Sequence, residues 1–247
     1  VTGRQPGARG GGVRPLHLAV LLPAGGGSGA GAPPDFAVCA ALAGAAERAL
    51  FDFVLLDGGG GPEPVTVLHA LAALTGRIGL AVAFPAGAAD RAPYDLARRL
   101  AVLDRLSGGR AGGPPGRSGE PAGPQGRPVA VDFGGTPEVL LTGRAPGVRR
   151  RGRRVRVLSR LDLCPLAAAG PGGDESGARG LAERLHAQVQ SAATDGFVLA
   201  PDPAAGGAGL DAFVAQVVPL LRERGSLRTA YTGTTLREHL GLPRPVG

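Results

Sequence analysis

Between Phe51 and Arg110 the chain alternates short apolar runs with longer periodic ones, and that alternation restricts it to few folds. Asp52 to Leu56 is an apolar run that stops at Asp57-Gly58. Pro62-Glu63-Pro64 opens a helical pattern through Leu74, closed by Gly76. Ile78 to Phe84 is the next apolar run, broken by Pro85. Pro93-Tyr94 opens a second helix that ends at Ser107-Gly108-Gly109, and a stub of a third strand follows. Strands alternating with helices of about a dozen residues build βαβ units on a parallel sheet.

The flanking sequence extends this pattern. Leu16 to Leu22 reads as a first strand, apolar on both faces as buried parallel strands are. Asp35 is placed to cap a helix from Phe36 to Leu50 whose inner face carries Phe36, Cys39, Leu42, Ala43, Ala46 and Leu50. Residues 1–14 read as a flexible Gly/Arg-rich tail, and residues 15–247 as one domain. Residues 111–128, AGGPPGRSGEPAGPQGRP, read as loop that supports neither helix nor strand. Val129 to Phe133, Val155 to Leu158 and Asp195 to Leu199 read as further strands. Gly180 to Ala193, Leu210 to Arg224 and Thr234 to Leu240 read as helices. The count is about six strands, two short of a complete barrel, although 247 residues is the length of one barrel.

The net charge of +7 invites a nucleic-acid reading. Every basic residue outside the four histidines is Arg, while Lys, Asn and Met are absent and Ile78 is the sole isoleucine. Those four types share A/T-rich codons, so the charge reflects coding bias more than a partner. The run Arg149, Arg150, Arg151, Arg153, Arg154 and Arg156 reads as a solvated face or an anion site. With Tyr only at 94 and 231 and no Trp, no interleaved aromatic platform accompanies it, and nucleic acid is disfavoured. Cys39 and Cys164 make no disulfide framework and read as small buried thiols in a reducing compartment. No apolar run reaches membrane-span length and no hydrophobic stretch precedes Leu16, so the expectation is a cytoplasmic protein without a membrane partner. His17, His69, His186 and His239 form no HxxxH pair, so no metal site is expected, and no G-x-S-x-G elbow occurs.

Six blocks, FDFVLLDG, EPVTVLHALAALTGRIGLAVA, APYDLARRLAVLDRLSGGRAG, PQGRPVAV, TDGFVLAP and LRTAYTGTTLREHLGLPRP, occur in one order. Together they resemble the bacterial luciferase-like flavin monooxygenases, in the branch of nitrilotriacetate monooxygenase, dibenzothiophene-sulfone monooxygenase and pristinamycin IIA synthase. The resemblance implies a reduced or incomplete (β/α)₈ TIM barrel of the luciferase-like type. It implies reduced FMN supplied by a separate reductase, O₂ as oxidant, and a small organic substrate such as a natural-product intermediate. It also implies a homodimer or heterodimer, which strand edges left by shortening would favour.

The resemblance also assigns residues. Gly134-Gly135-Thr136 align with the turn that holds the FMN phosphate, where backbone N–H groups and a hydroxyl suit an anion. Asp57 stands at a strand C-terminus, where it positions substrate or caps the next loop. Tyr94 matches the family's Pro-Tyr pair and reads as pocket wall or polar-tipped core. Phe84 and Ser118 stand where the family has flavin-facing residues, but in altered company. Phe84-Pro85 replaces hydroxyl residues, and Gly113 to Ser118 replaces a Trp-Asn tract. Two large family segments are mostly missing. These departures keep other readings open: a flavin-free barrel acting as a cofactor-independent enzyme such as a cyclase, a non-catalytic partner subunit of an oxygenase, or an anion-binding or nucleic-acid-binding module.

Overall fold

The computed structural model describes residues 12–23, 35–58, 64–84, 93–115, 123–133, 137–142, 155–164, 175–202, 205 and 207–244. Eight parallel strands close into a barrel in chain order. They are β1 (His17–Leu22), β2 (Phe53–Asp57), β3 (Gly79–Ala83), β4 (Ala111–Gly113), β5 (Val129–Asp132), β6 (Val139–Thr142), β7 (Arg156–Asp162) and β8 (Gly196–Ala200). Pairing of β8 with β1, Leu18 opposite Phe197, completes the closure. The helices are α1 (Phe36–Arg48), α2 (Pro64–Leu74), α3 (Pro93–Leu106), α4 (Glu175–Gln190), α5 (Ala208–Ala212), α6 (Val218–Glu223) and α7 (Leu236–His239).

The expected barrel is therefore present, with eight strands where the sequence suggested about six. Two short strands account for the difference. β4 falls in 111–113, which composition marks as loop. Its glycines are what the barrel needs there: a Cβ on Gly112 would stand 3.1 Å from the Ala81 Cβ, 3.1 Å from Leu236 Cδ2 and 3.2 Å from Val131 Cγ2. Neighbours on both sides impose extended backbone on a segment with no strand propensity of its own. β6 begins beside the second half of β5, Val139 opposite Val131. That offset shortens the return path, so residues 133–138 suffice where a parallel crossover ordinarily takes a dozen or more.

Period-two alternation sorts each strand into two faces. Ala19, Phe53, Leu55, Ala81, Val129, Val131, Val139, Leu141, Leu158 and Val198 fill the barrel interior, together with Leu236, Leu240 and Leu242 from the chain's last described segment. Leu18, Val20, Val54, Leu56, Leu80, Phe197 and Leu199 face outward, into the layer made by the helices. Each such fully buried side chain stabilises by about 1.5–3 kcal/mol. Asp35 caps α1 by accepting from Ala37 N at 2.9 Å, and α1 buries Cys39, Leu42, Ala43 and Ala46. The expected inner-face Phe36 is instead 39% exposed. Pro219 lies inside the predicted Leu210–Arg224 helix. Because Pro has no N–H to donate to a carbonyl one turn back, the helix passes through a π turn, Phe213–Val217, between α5 and α6.

Helical cover is uneven. Among the described residues, helices follow β1, β2, β3, β7 and β8, and none follows β4, β5 or β6. Of the two cysteines, Cys39 is buried and its thiol is pushed up to about 11 by that burial and by Asp35, whereas Cys164 is exposed, contrary to the expectation. Among the described residues no helix is long and apolar enough to cross a membrane, and no group of three metal-ligating side chains occurs.

Candidate functional site

The two ends of the barrel differ in chemistry. At the N-terminal end a polar network locks residues 226–243 under the strands. Asp52 and Asp195 each immediately precede a strand region and act alike. Asp52 N donates to Leu18 O at 2.7 Å while Asp52 Oδ2 accepts from Leu18 N at 2.8 Å. Asp195 N donates to Val157 O at 2.8 Å while Asp195 Oδ2 accepts from Val157 N at 2.8 Å. Each aspartate thus caps the start of the neighbouring strand. Arginines meet both carboxylates: Arg228 binds Asp52, and Arg14 binds Asp195 at 3.3 Å.

His17 Nδ1 lies 2.9 Å from Asp52 Oδ1. Burial pushes the Asp52 carboxyl up, but His17, Arg228 and the Leu18 N–H outweigh it and hold it below the usual carboxylate range. Burial holds His239 below its ordinary value, with Asp52 opposing. The His239 ring stacks near Tyr231, centroids 4.7 Å apart. On the other side, Arg237 pairs with Glu138, its backbone N–H reaches Gln125 Oε1 at 3.3 Å, and Arg156 Nε donates to Leu240 O at 2.8 Å. Arg110 ties the ends of α2 and α3 together, donating to Thr75 O at 2.9 Å and Ser107 O at 2.8 Å. These residues are spent on holding the barrel shut. None of this network was read from the sequence, because its partners lie far apart in the chain. The available signal was an acidic residue directly before an apolar strand, in FDFVLL and TDGFVLA.

The C-terminal end is the mouth, where barrels of this kind carry their chemistry. Asp57 ends β2 on the inner face, in register with Ala83. Phe84 follows Ala83, and its ring lies so close over Gly58 that a Cβ there would overlap it. Gly58 N donates to Ala83 O at 2.7 Å, and Phe84 packs toward the outer helical layer while Asp57 faces the barrel interior. Tyr94 is the second residue of α3, and its side chain lies outside the described residues. Ser118, Gly134, Gly135 and Thr136 also lie outside them; the last three follow Phe133 at the end of β5.

The mouth also holds residues that sequence reading missed. β7 runs four residues beyond the expected Leu158. Arg160 and Asp162 stand level with Val198 and Ala200 on the inner face and form an ion pair at 2.9 Å. They continue the alternation from Leu158, but the surrounding arginines mask it in the sequence. Phe133 is 47% exposed beside this rim.

Comparison with known proteins agrees with this geometry. Residues 16–131 match the family model described as luciferase-like monooxygenase, covering β1 through β5. In those residues the chain is similar to the luciferase-like monooxygenase family. The N-acetyl-S-(2-succino)cysteine monooxygenase of Bacillus subtilis (strain 168) is 48% identical over 66 residues, 27% of this chain and 14% of that protein. The dibenzothiophene-sulfone monooxygenase of Rhodococcus erythropolis is 46% identical over 65 residues, 26% of this chain and 14% of its own length. The matched stretch thus spans about one seventh of each curated relative. Among solved structures, the EDTA monooxygenase of Chelativorans sp. BNC1 superposes with a TM-score of 0.69 at 20% identity, over 94% of this chain and 99% of that one. A riboflavin lyase with modified FMN and riboflavin superposes with a TM-score of 0.70 at 18% identity, over 94% and 97%. At such identities the likeness to these structures is one of fold.

Proposed function

We propose that this chain is a shortened luciferase-like flavin monooxygenase that holds reduced FMN at the barrel mouth and oxidises a small organic molecule with O₂. The observation that carries this reading is a closed parallel barrel whose β1–β5 half matches the family model. The described mouth suits a flavin ring. Ala83 and Ala200 leave space on the inner wall, and Phe133, 47% exposed, offers aromatic surface at the end of β5. FMN, when bound, supplies the oxygen-activating chemistry.

The chain's own residues then bind, orient and exclude water. Gly134, Gly135 and Thr136 hold the phosphate through backbone N–H groups and a hydroxyl. Ser118 borders the ring, Asp57 orients a polar group of the substrate, and Tyr94 walls the pocket. The modified FMN in the riboflavin lyase structure supports the choice of cofactor. A separate reductase delivers the flavin, and the substrate is a natural-product intermediate. The protein is a homodimer that pairs through α2 and α3, where Leu74, Val102 and Leu106 are 61%, 44% and 70% exposed.

The test is titration with FMN, followed by flavin absorbance and fluorescence. Thr136→Ala should weaken binding about tenfold, the worth of one hydrogen bond to a charged group. Absence of binding at high micromolar FMN would end this reading. A flavin-free enzyme or partner subunit is the second reading. It is favoured by Gly113, where a Cβ would run into Leu100 of α3, followed by Pro114-Pro115 in place of the family's flavin-touching tract.

A further inference from the structure

On the outer flank of the barrel, between β7 and α4, lies a half-open cavity of about 230 Å³. Leu161 of β7, Leu181 and Leu185 of α4 and Phe197 of β8 wall it. Ser159 lies at its floor, donating to Thr194 Oγ1 at 3.2 Å and standing 3.4 Å from Thr142 Oγ1. Arg184, exposed and without an ion pair among the described residues, stands at its edge one turn before Gln188.

The position of the cavity follows from the fold. A parallel sheet is ordinarily covered on both faces. Helices do that after β1, β2, β3, β7 and β8, but among the described residues none follows β4, β5 or β6. The connection from Gly143 to Arg154 contains six arginines and only Ala145, Pro146 and Val148 as apolar residues. A partner helix, about 10 Å across, is too wide for the space. A second copy would bring another chain of net charge +7 against Arg184.

We propose that this cavity binds a small amphiphilic carboxylate. Its volume lies below the roughly 300–1,000 Å³ of drug-sized pockets, which suits a body of about eight carbons. The hydrocarbon lies between Leu181, Leu185 and Phe197, and the carboxylate meets Arg184, with the Gln188 amide as a second donor. The site is distinct from the mouth. Ser159 and Leu161 face outward, whereas Leu158 and Arg160 face in, so occupancy is independent of the flavin reading.

The experiment is isothermal titration of the full chain with octanoate, octanol and octylamine, with and without FMN. Octanoate should bind, octanol more weakly and octylamine not at all. Arg184→Gln should weaken octanoate about tenfold, one charge-assisted contact, and Arg184→Lys should restore part of the loss. Leu181→Trp should abolish binding while the thermal midpoint stays unchanged, which separates blockage from unfolding. The proposal is overturned if octanoate fails to bind in the millimolar range, if Arg184→Gln binds like the parent, or if FMN displaces octanoate. It is equally overturned if sedimentation shows octanoate splitting a dimer, since the groove would then belong to a second copy.

Discussion

Replacing Asp52 by Asn tests the lock at the closed end of the barrel. The carboxylate is fully buried and meets three donors: His17 Nδ1, Leu18 N and Arg228. An amide offers one acceptor oxygen and turns an NH₂ group toward the remaining donors. It also leaves the Arg228 charge without a counter-charge at this site. Removing one partner of a buried pair costs about 3–5 kcal/mol. At this chain length each kcal/mol moves the midpoint by roughly 2–4 °C, so the melting temperature should fall by about 6–20 °C. Differential scanning calorimetry and urea titration at neutral pH read this directly. A second readout follows from linkage. The Asp52 carboxyl is held below its ordinary range in the folded chain, so on acidification the unfolded chain takes up the proton first. The stabilisation is complete above roughly pH 4 and is lost as pH falls through the folded value. In Asp52→Asn this acid limb should flatten. A loss under about 1 kcal/mol at neutral pH, or an unchanged acid limb, would refute the reasoning.

Gly196→Ala should leave little soluble protein, because a Cβ there would overlap the His17 backbone where β8 pairs with β1, and only backbone movement could relieve it; expression and circular dichroism check this. Native protein treated with iodoacetamide should be modified at Cys164 and spared at Cys39, whose buried thiol sits at about 11; two modified sites by mass spectrometry would contradict the packing of α1. Leu106→Glu, at a 70% exposed position, should convert a dimer to monomers in sedimentation without lowering the melting temperature. A variant that sediments like the parent would remove the α2–α3 pairing.

The barrel itself was legible where strands are long and apolar. β1, β2, β3 and β8 each carry runs of Leu, Val, Ala or Phe bounded by turn residues, and they stand where expected. β4 was not legible because two of its three residues are glycines, chosen by the space between Ala81, Val131 and Leu236 rather than by any local preference. β6 follows a Gly-Gly-Thr-Pro-Glu stretch and is four residues long, too short for periodicity to register. Of the proposed site, the position of Asp57 at the end of β2 was legible because an apolar run stops there at Asp-Gly. Arg160 and Asp162 were not, since they lie in an arginine-rich stretch where charge hides the alternation. The Asp52–Arg228 pair spans 176 positions, and nothing local announces it.

The segment that plugs the closed end has a consequence for synthesis. Leu236, Leu240 and Arg237 make contacts with β-strands that leave the ribosome much earlier, among them Leu236 beside Gly112 and Arg237 bound to Glu138. Until residue 240 has emerged from the exit tunnel, the nascent cylinder is open at its base, with inward-facing leucines and valines wetted. Chaperone dependence during translation should therefore persist until that stretch has emerged and drop once it docks.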